Sequence, residues 1–169
     1  MRQTNIGRRR FLVSIGAAGV LLGGLGVSPA AAQGNSSPRQ RNFRAHLTGD
    51  EEVDPVETKA QGQMLVTFDD DLTELSYTLI VANIDDVVAA HIHCAPAGQN
   101  GPVGVTLFGG GPTSASGILA KETVTEPNPG NACGWTSIED VYEAIQSGEA
   151  YVNVHTVANP SGEIRGQLG

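Results

Sequence analysis

Two stretches of the chain gather the side chains best suited to chemistry. Ala89 to Val103, A-A-H-I-H-C-A-P-A-G-Q-N-G-P-V, holds His91, His93 and Cys94; Tyr151 to Thr156, Y-V-N-V-H-T, holds His155. Successive side chains of an extended strand point to opposite faces, so His91 and His93 share one face while Ile92 and Cys94 share the other. The same parity sets Tyr151, Asn153 and His155 against Val152 and Val154. If the two strands are neighbours, three of the four histidines converge. Three imidazoles on one patch can hold a copper or zinc ion, with water or a fourth donor completing the shell. The competing use is structural, in which the imidazoles bond Asn153, Tyr151 or loop carbonyls and brace a sheet. His46, isolated on a first short strand, reads that way.

No other residues form a recognisable reaction centre. The chain has no G-x-S-x-G, no H-E-x-x-H and no phosphate loop, so no catalytic or cofactor-binding residue is nominated. Glu163 and Arg165 lie two apart on one strand face, as a cross-strand or surface ion pair would. Asp69-Asp70-Asp71 lacks the alternating ligands and distal Glu of a calcium loop and reads as a solvated turn.

The elements that must position the histidines repeat with period two. Phe43 to Leu47 is a first strand, and Gly49 to Pro55 is a turn-rich acidic loop. Met64, Val66 and Phe68 face one way, as do Leu75, Tyr77, Leu79 and Val81 after the aspartate turn, which predicts a hairpin with one buried side. Val87 to Cys94, Val103 to Phe108, Ser116 to Val124, Tyr151 to Thr156 and Glu163 to Leu168 are further strands, with Gly109 to Pro112 expected to break the chain between two of them. Ser137-Ile-Glu-Asp140 opens one helix through a capping box. Ile138, Val141, Ala144 and Ile145 make its apolar stripe, and Gly148 ends it. The class is all-β, an antiparallel β-sandwich or Greek-key barrel with one short peripheral helix.

Residues 1–32 read as an export signal. Arg8, Arg9 and Arg10 precede Phe11, Leu12 and an apolar, glycine-rich run to Val27, and Pro29-Ala-Ala-Ala32 supplies a cleavage site. Arg8 and Arg9 followed by Phe11 and Leu12 resemble the twin-arginine pattern of the Tat system. The apolar run is shorter than the roughly 20 residues that span a bilayer, so no stable transmembrane segment is expected after cleavage. Residues 33–41 have the polar composition of a flexible linker, and residues 42–169 form one domain.

The leader holds four of the ten basic side chains and none of the eighteen acidic ones, leaving six against eighteen and a net charge of −12. Such a surface repels phosphate backbones, which argues against nucleic acid or anionic lipid and fits cations or basic partners; the expected partner is an unidentified protein or extracellular ligand. Cys94 and Cys133 are the only cysteines, and an even pair in an exported chain reads as a disulfide.

Three motifs in order then carry a resemblance. His91-Ile-His93 with Gly98, Gly101, Pro102 and Val103, Tyr151 to Thr156, and Gly162-Glu-Ile-Arg-Gly-Gln-Leu168 are similar to the CHRD domain, first named from chordin. Glu52-Val-Asp-Pro-Val56 resembles that family's N-terminal E-V-P-P-V, with Asp54 in place of the first proline. The resemblance covers about residues 42–169 and implies an extracellular β-sandwich module, common in exported microbial proteins, rather than a particular reaction. The expected function is therefore a binding or structural module at or beyond the cell surface. The alternative is a Cu/Zn metalloprotein, since copper/zinc superoxide dismutases also place an H-x-H strand on a Greek-key barrel. Those enzymes need further histidines and an aspartate in a long metal loop that this chain lacks, so dismutase activity is not the favoured expectation.

Overall fold

Alternation of apolar and polar residues builds the first three strands directly. In the computed structural model, which describes residues 39–169, β1 (Asn42–Thr48) buries Phe43, Ala45 and Leu47 and exposes Arg44 and His46. It pairs antiparallel with β2 (Gln61–Phe68), which buries Met64, Val66 and Phe68. β2 returns through residues 69–74 into β3 (Leu75–Cys94) as the expected hairpin. The turn is held by the Asp69 carboxylate, which accepts from the backbone N–H groups of Thr73 and Glu74 at 2.8 and 2.9 Å. The aspartate run is thus a capped turn. The leader and its residues Arg8, Arg9, Phe11 and Leu12 lie outside the described residues.

β3 and β4 (Val103–Val124) depart from the sequence reading, because each runs on where a break was expected. Ile84 lies between two positive-φ residues, Asn83 and Asp86, and the register with β4 shifts repeatedly from Leu79 onward. Bulges of this kind bend a strand and let it pass from one sheet into another. Opposite this bend, Val87 pairs with Thr113 and Ala89 with Gly109, so Gly110, Gly111 and Pro112 are accommodated as extra residues. Glycine and proline at a bulge interrupt the ladder without ending the strand.

The first half of β3 pairs with β2 and the second half with β5 (Ala150–Thr156). β5 pairs with β6 (Ile164–Gln167), and β6 meets β1 at Thr48 and Arg165. The order β2-β1-β6-β5-β3 therefore closes on itself, with β4 laid along β3. This is an all-β antiparallel fold, as expected.

Helix α1 (Ile138–Gln146) starts at the Ser137–Asp140 capping box and buries Ile138, Val141, Tyr142 and Ile145. Tyr142 packs edge-on to Phe43 and Phe68 at 5.8 and 5.2 Å, so it joins the stripe on which Ala144 was expected. Among the described residues, no helix is long and apolar enough to cross a membrane.

Cys94, at the end of β3, is bonded to Cys133 in the loop before α1, with Cα atoms 5.8 Å apart. Closing a loop of 39 residues restricts the unfolded chain. Replacing both cysteines by serine should cost about 3 to 4 kcal/mol, read as a lower urea midpoint. An unchanged midpoint would mean that the unfolded chain gains nothing from losing the tie.

Candidate metal centre

β5 is buried along its whole length, which simple two-sided alternation does not predict. Ala150, Val152 and Val154 enter the apolar core, whereas Tyr151, Asn153 and His155 belong to a polar layer on the other face. Three loops cover that layer. Residues 95–102 supply Gly101 to Tyr151, the loop after β1 supplies Glu52 to Asn153, and residues 157–163 supply Pro160 to His155.

The pairing of β3 with β5 sets His91 opposite Asn153, His93 opposite Tyr151 and Ala89 opposite His155. His91, His93 and His155 thereby come together, each offering one ring nitrogen within 4.8 Å of the others. Ring centroids are 5.0 Å apart for His91 and His155, 5.5 Å for His91 and His93, and 5.6 Å for His93 and His155. His46 stands apart on β1, exposed and bonded to Gln63 of β2.

The hydrogen bonds fix how the rings present themselves. His93 Nδ1 lies 2.9 Å from the Gly101 carbonyl and His155 Nδ1 lies 3.1 Å from the Pro160 carbonyl. A carbonyl only accepts, so each Nδ1 carries the proton and donates it, leaving Nε2 with a free lone pair. Both Nε2 atoms are buried without a partner, as is His91 Nδ1. Backbone carbonyls that orient histidines in this way are the usual outer support of a metal site. Gly101 is required there, because a Cβ would collide with the Cys94 carbonyl.

Electrostatics keep the rings neutral. Burial pushes the His91 pKa down to about 4, and repulsion from His155 and His93 adds to the effect. Burial likewise lowers His93, opposed by the Gly101 bond and reinforced by His155 and Arg165. It lowers His155 too, against the Pro160 bond. Unprotonated imidazole is the form that binds metal, so at neutral pH no proton must leave first. A purely bracing role leaves the Nε2 acceptors of His93 and His155 and the Nδ1 of His91 buried without a partner, which is costly. A cation satisfies all three.

The surrounding layer contains residues that the sequence reading assigned elsewhere or passed over. Arg165 and Glu163 form no exposed ion pair. Arg165 is 1% exposed, donates to Asn100 and the Pro96 carbonyl at 3.2 Å, and lies over the Tyr151 ring at 3.5 Å. Glu163 instead accepts from Thr58, Thr156 and Asn159 at 2.7 to 3.2 Å. Tyr151 stacks on His93 with centroids 4.9 Å apart. Glu52 accepts from Asn153 at 3.3 Å, and burial raises its pKa despite that bond and the pull of Arg165. A Cβ at Gly162 would collide with the Asn153 amide, so this turn too needs glycine. Strand parity with His155 was an available signal for Tyr151 and Asn153 alone.

The family model of the CHRD domain matches residues 43–168. No curated protein and no solved structure matches the chain.

Proposed function

The chain belongs to the CHRD-domain family, and on that premise we propose that it is an exported binding module whose ligand is a first-row transition-metal ion, copper or zinc. One observation carries the reading: three imidazoles, each with a buried ring nitrogen that has no partner, bring a nitrogen each within 4.8 Å of one another. His93 and His155 would bind through Nε2, since their Nδ1 atoms are held by carbonyls, and His91 would complete the set. Three neutral nitrogens suit zinc and copper, whereas calcium and magnesium prefer oxygen. The ion would tie β3 to β5 and add its binding free energy to the stability of the layer. Export rests on the leader pattern and agrees with the Cys94–Cys133 disulfide, a bond typical of oxidising compartments.

The test is metal content and amino-terminal sequence of the protein recovered outside the cytoplasmic membrane, followed by calorimetric titration with Zn(II) and Cu(II). A start just after Ala32 and one ion per chain are expected. A start at Met1 would remove the cleaved leader, and failure to take up either ion in stoichiometric amount would remove the metal.

A further inference from the structure

The charges around the three histidines bear on which ion belongs there, a question that rests on the metal reading above. The donors are neutral, and no carboxylate lies among the three nitrogens. One buried charge on this side is cationic and is linked to a ligand ring by direct stacking. Arg165 is almost wholly buried, its guanidinium 3.5 Å from the Tyr151 ring, which is stacked at 4.9 Å on His93. The three groups form a column from arginine through tyrosine to the ligand histidine. The guanidinium is thus no farther from the His93 ring than those two steps together.

Nothing pairs directly with that cation. Its hydrogen bonds run to an amide oxygen and a backbone carbonyl, and among the described residues the salt bridge within 4.0 Å is Arg41 with Asp70 at the surface. Glu163 is engaged by Thr58, Thr156 and Asn159. Glu52, the other acid of the layer, accepts from Asn153 and makes no salt bridge to the guanidinium.

We infer that the site is built for monovalent copper, with Arg165 as the residue that sets the preference of the neutral three-nitrogen cluster for the ion of lower charge. A unit charge about 8 Å away, acting through an effective dielectric of about 20, shifts the balance between ions differing by one charge by more than tenfold. The stack fixes its distance. Residues 95–102 keep it dry by holding both the guanidinium and Tyr151. Arg165 touches no ion in this arrangement and acts through position.

The experiment uses the full mature chain loaded with copper, and reads the Cu(II)/Cu(I) midpoint potential together with competition between Cu(I) and Zn(II). In Arg165→Met the ratio of Cu(I) to Cu(II) affinity should fall at least tenfold, a downward shift of about 59 mV for one electron. Arg165→Lys keeps the charge while losing the planar stack, and should stay within about threefold of wild type. A well-folded Arg165→Met with an unmoved potential overturns the inference, as does an equal drop in Arg165→Lys. Where Arg165→Met does not fold, wild type decides: retention of Zn(II) against an equal concentration of Cu(I) overturns it, and displacement by Cu(I) supports it. A wild type that binds no ion defeats the metal reading itself, whereas one that binds and prefers Zn(II) defeats this inference alone.

Discussion

His91→Ala should lower the affinity for zinc and copper by at least on the order of 100-fold. Loss of an outer-shell partner alone typically costs about 10- to 100-fold, and this substitution removes a ligand of the first sphere from a set of three. The two remaining rings stay oriented by Gly101 and Pro160, so the loss reflects donor number. His155→Ala should behave alike. His46→Ala is the internal control, because His46 lies exposed on β1 and bonds Gln63; its affinity should match wild type within about twofold. The same contrast should appear in melting curves. Ion at 100 times the dissociation constant stabilises wild type by about 2.7 kcal/mol, and at the same ion concentration this stabilisation should fall to about 0.4 kcal/mol or less in His91→Ala. Equal affinities in wild type and His91→Ala would return the histidines to a bracing role.

Acid should destabilise the metal-free protein well above the carboxylate range. The histidine pKa values are depressed in the folded state, to about 4 for His91 from an ordinary 6.5, so between those values the unfolded chain binds more protons. Stability is therefore fully present above pH 6.5 and is lost as pH falls toward 4. His91 contributes most to this loss, and the downward shifts at His93 and His155 add in the same direction. Glu52 works the other way, because a raised carboxyl pKa favours the folded state as it protonates. Asp69 and Asp140 are lowered from 3.8 by their turn and cap hydrogen bonds, so their losses fall below this window. Urea unfolding of metal-free protein at pH 7, 5.5 and 4 measures the slope. His91→Ala should flatten it, and bound metal should move it to lower pH because the ion competes with the proton. Stability that is constant or rising from pH 7 to 4 would contradict the burial of neutral imidazoles.

Much of this architecture was legible because it is local. Period two in Phe43 to Leu47 and Met64 to Phe68 follows from the strand pleat, and Ser137 with Asp140 marks a helix start through its own amide donors. Strand parity alone placed His91 and His93 on one face, and Cys94 on the other with Cys133 as its partner in number. The continuity of β3 and β4 was not legible, because a bulge and a strand end use the same kinds of residue, Asn83 to Asp86 in β3 and Gly109 to Pro112 in β4, and only the partner strand distinguishes them.

The polar layer is where tertiary structure decided. From the residues themselves, Glu163 and Arg165 two apart look like an exposed pair, and Glu52 looks like one acid of a surface loop. Covering loops from 49–58, 95–102 and 157–163 bury them, and only burial makes an unpaired carboxyl, guanidinium or imidazole energetically expensive. The sequence by itself determined that three histidines could meet, since strand parity is a property of the backbone. Whether they do meet, each with an unpartnered ring nitrogen and beside a buried cation, depended on which strands pair and which loops fold over them, because register and desolvation arise between segments far apart in the chain.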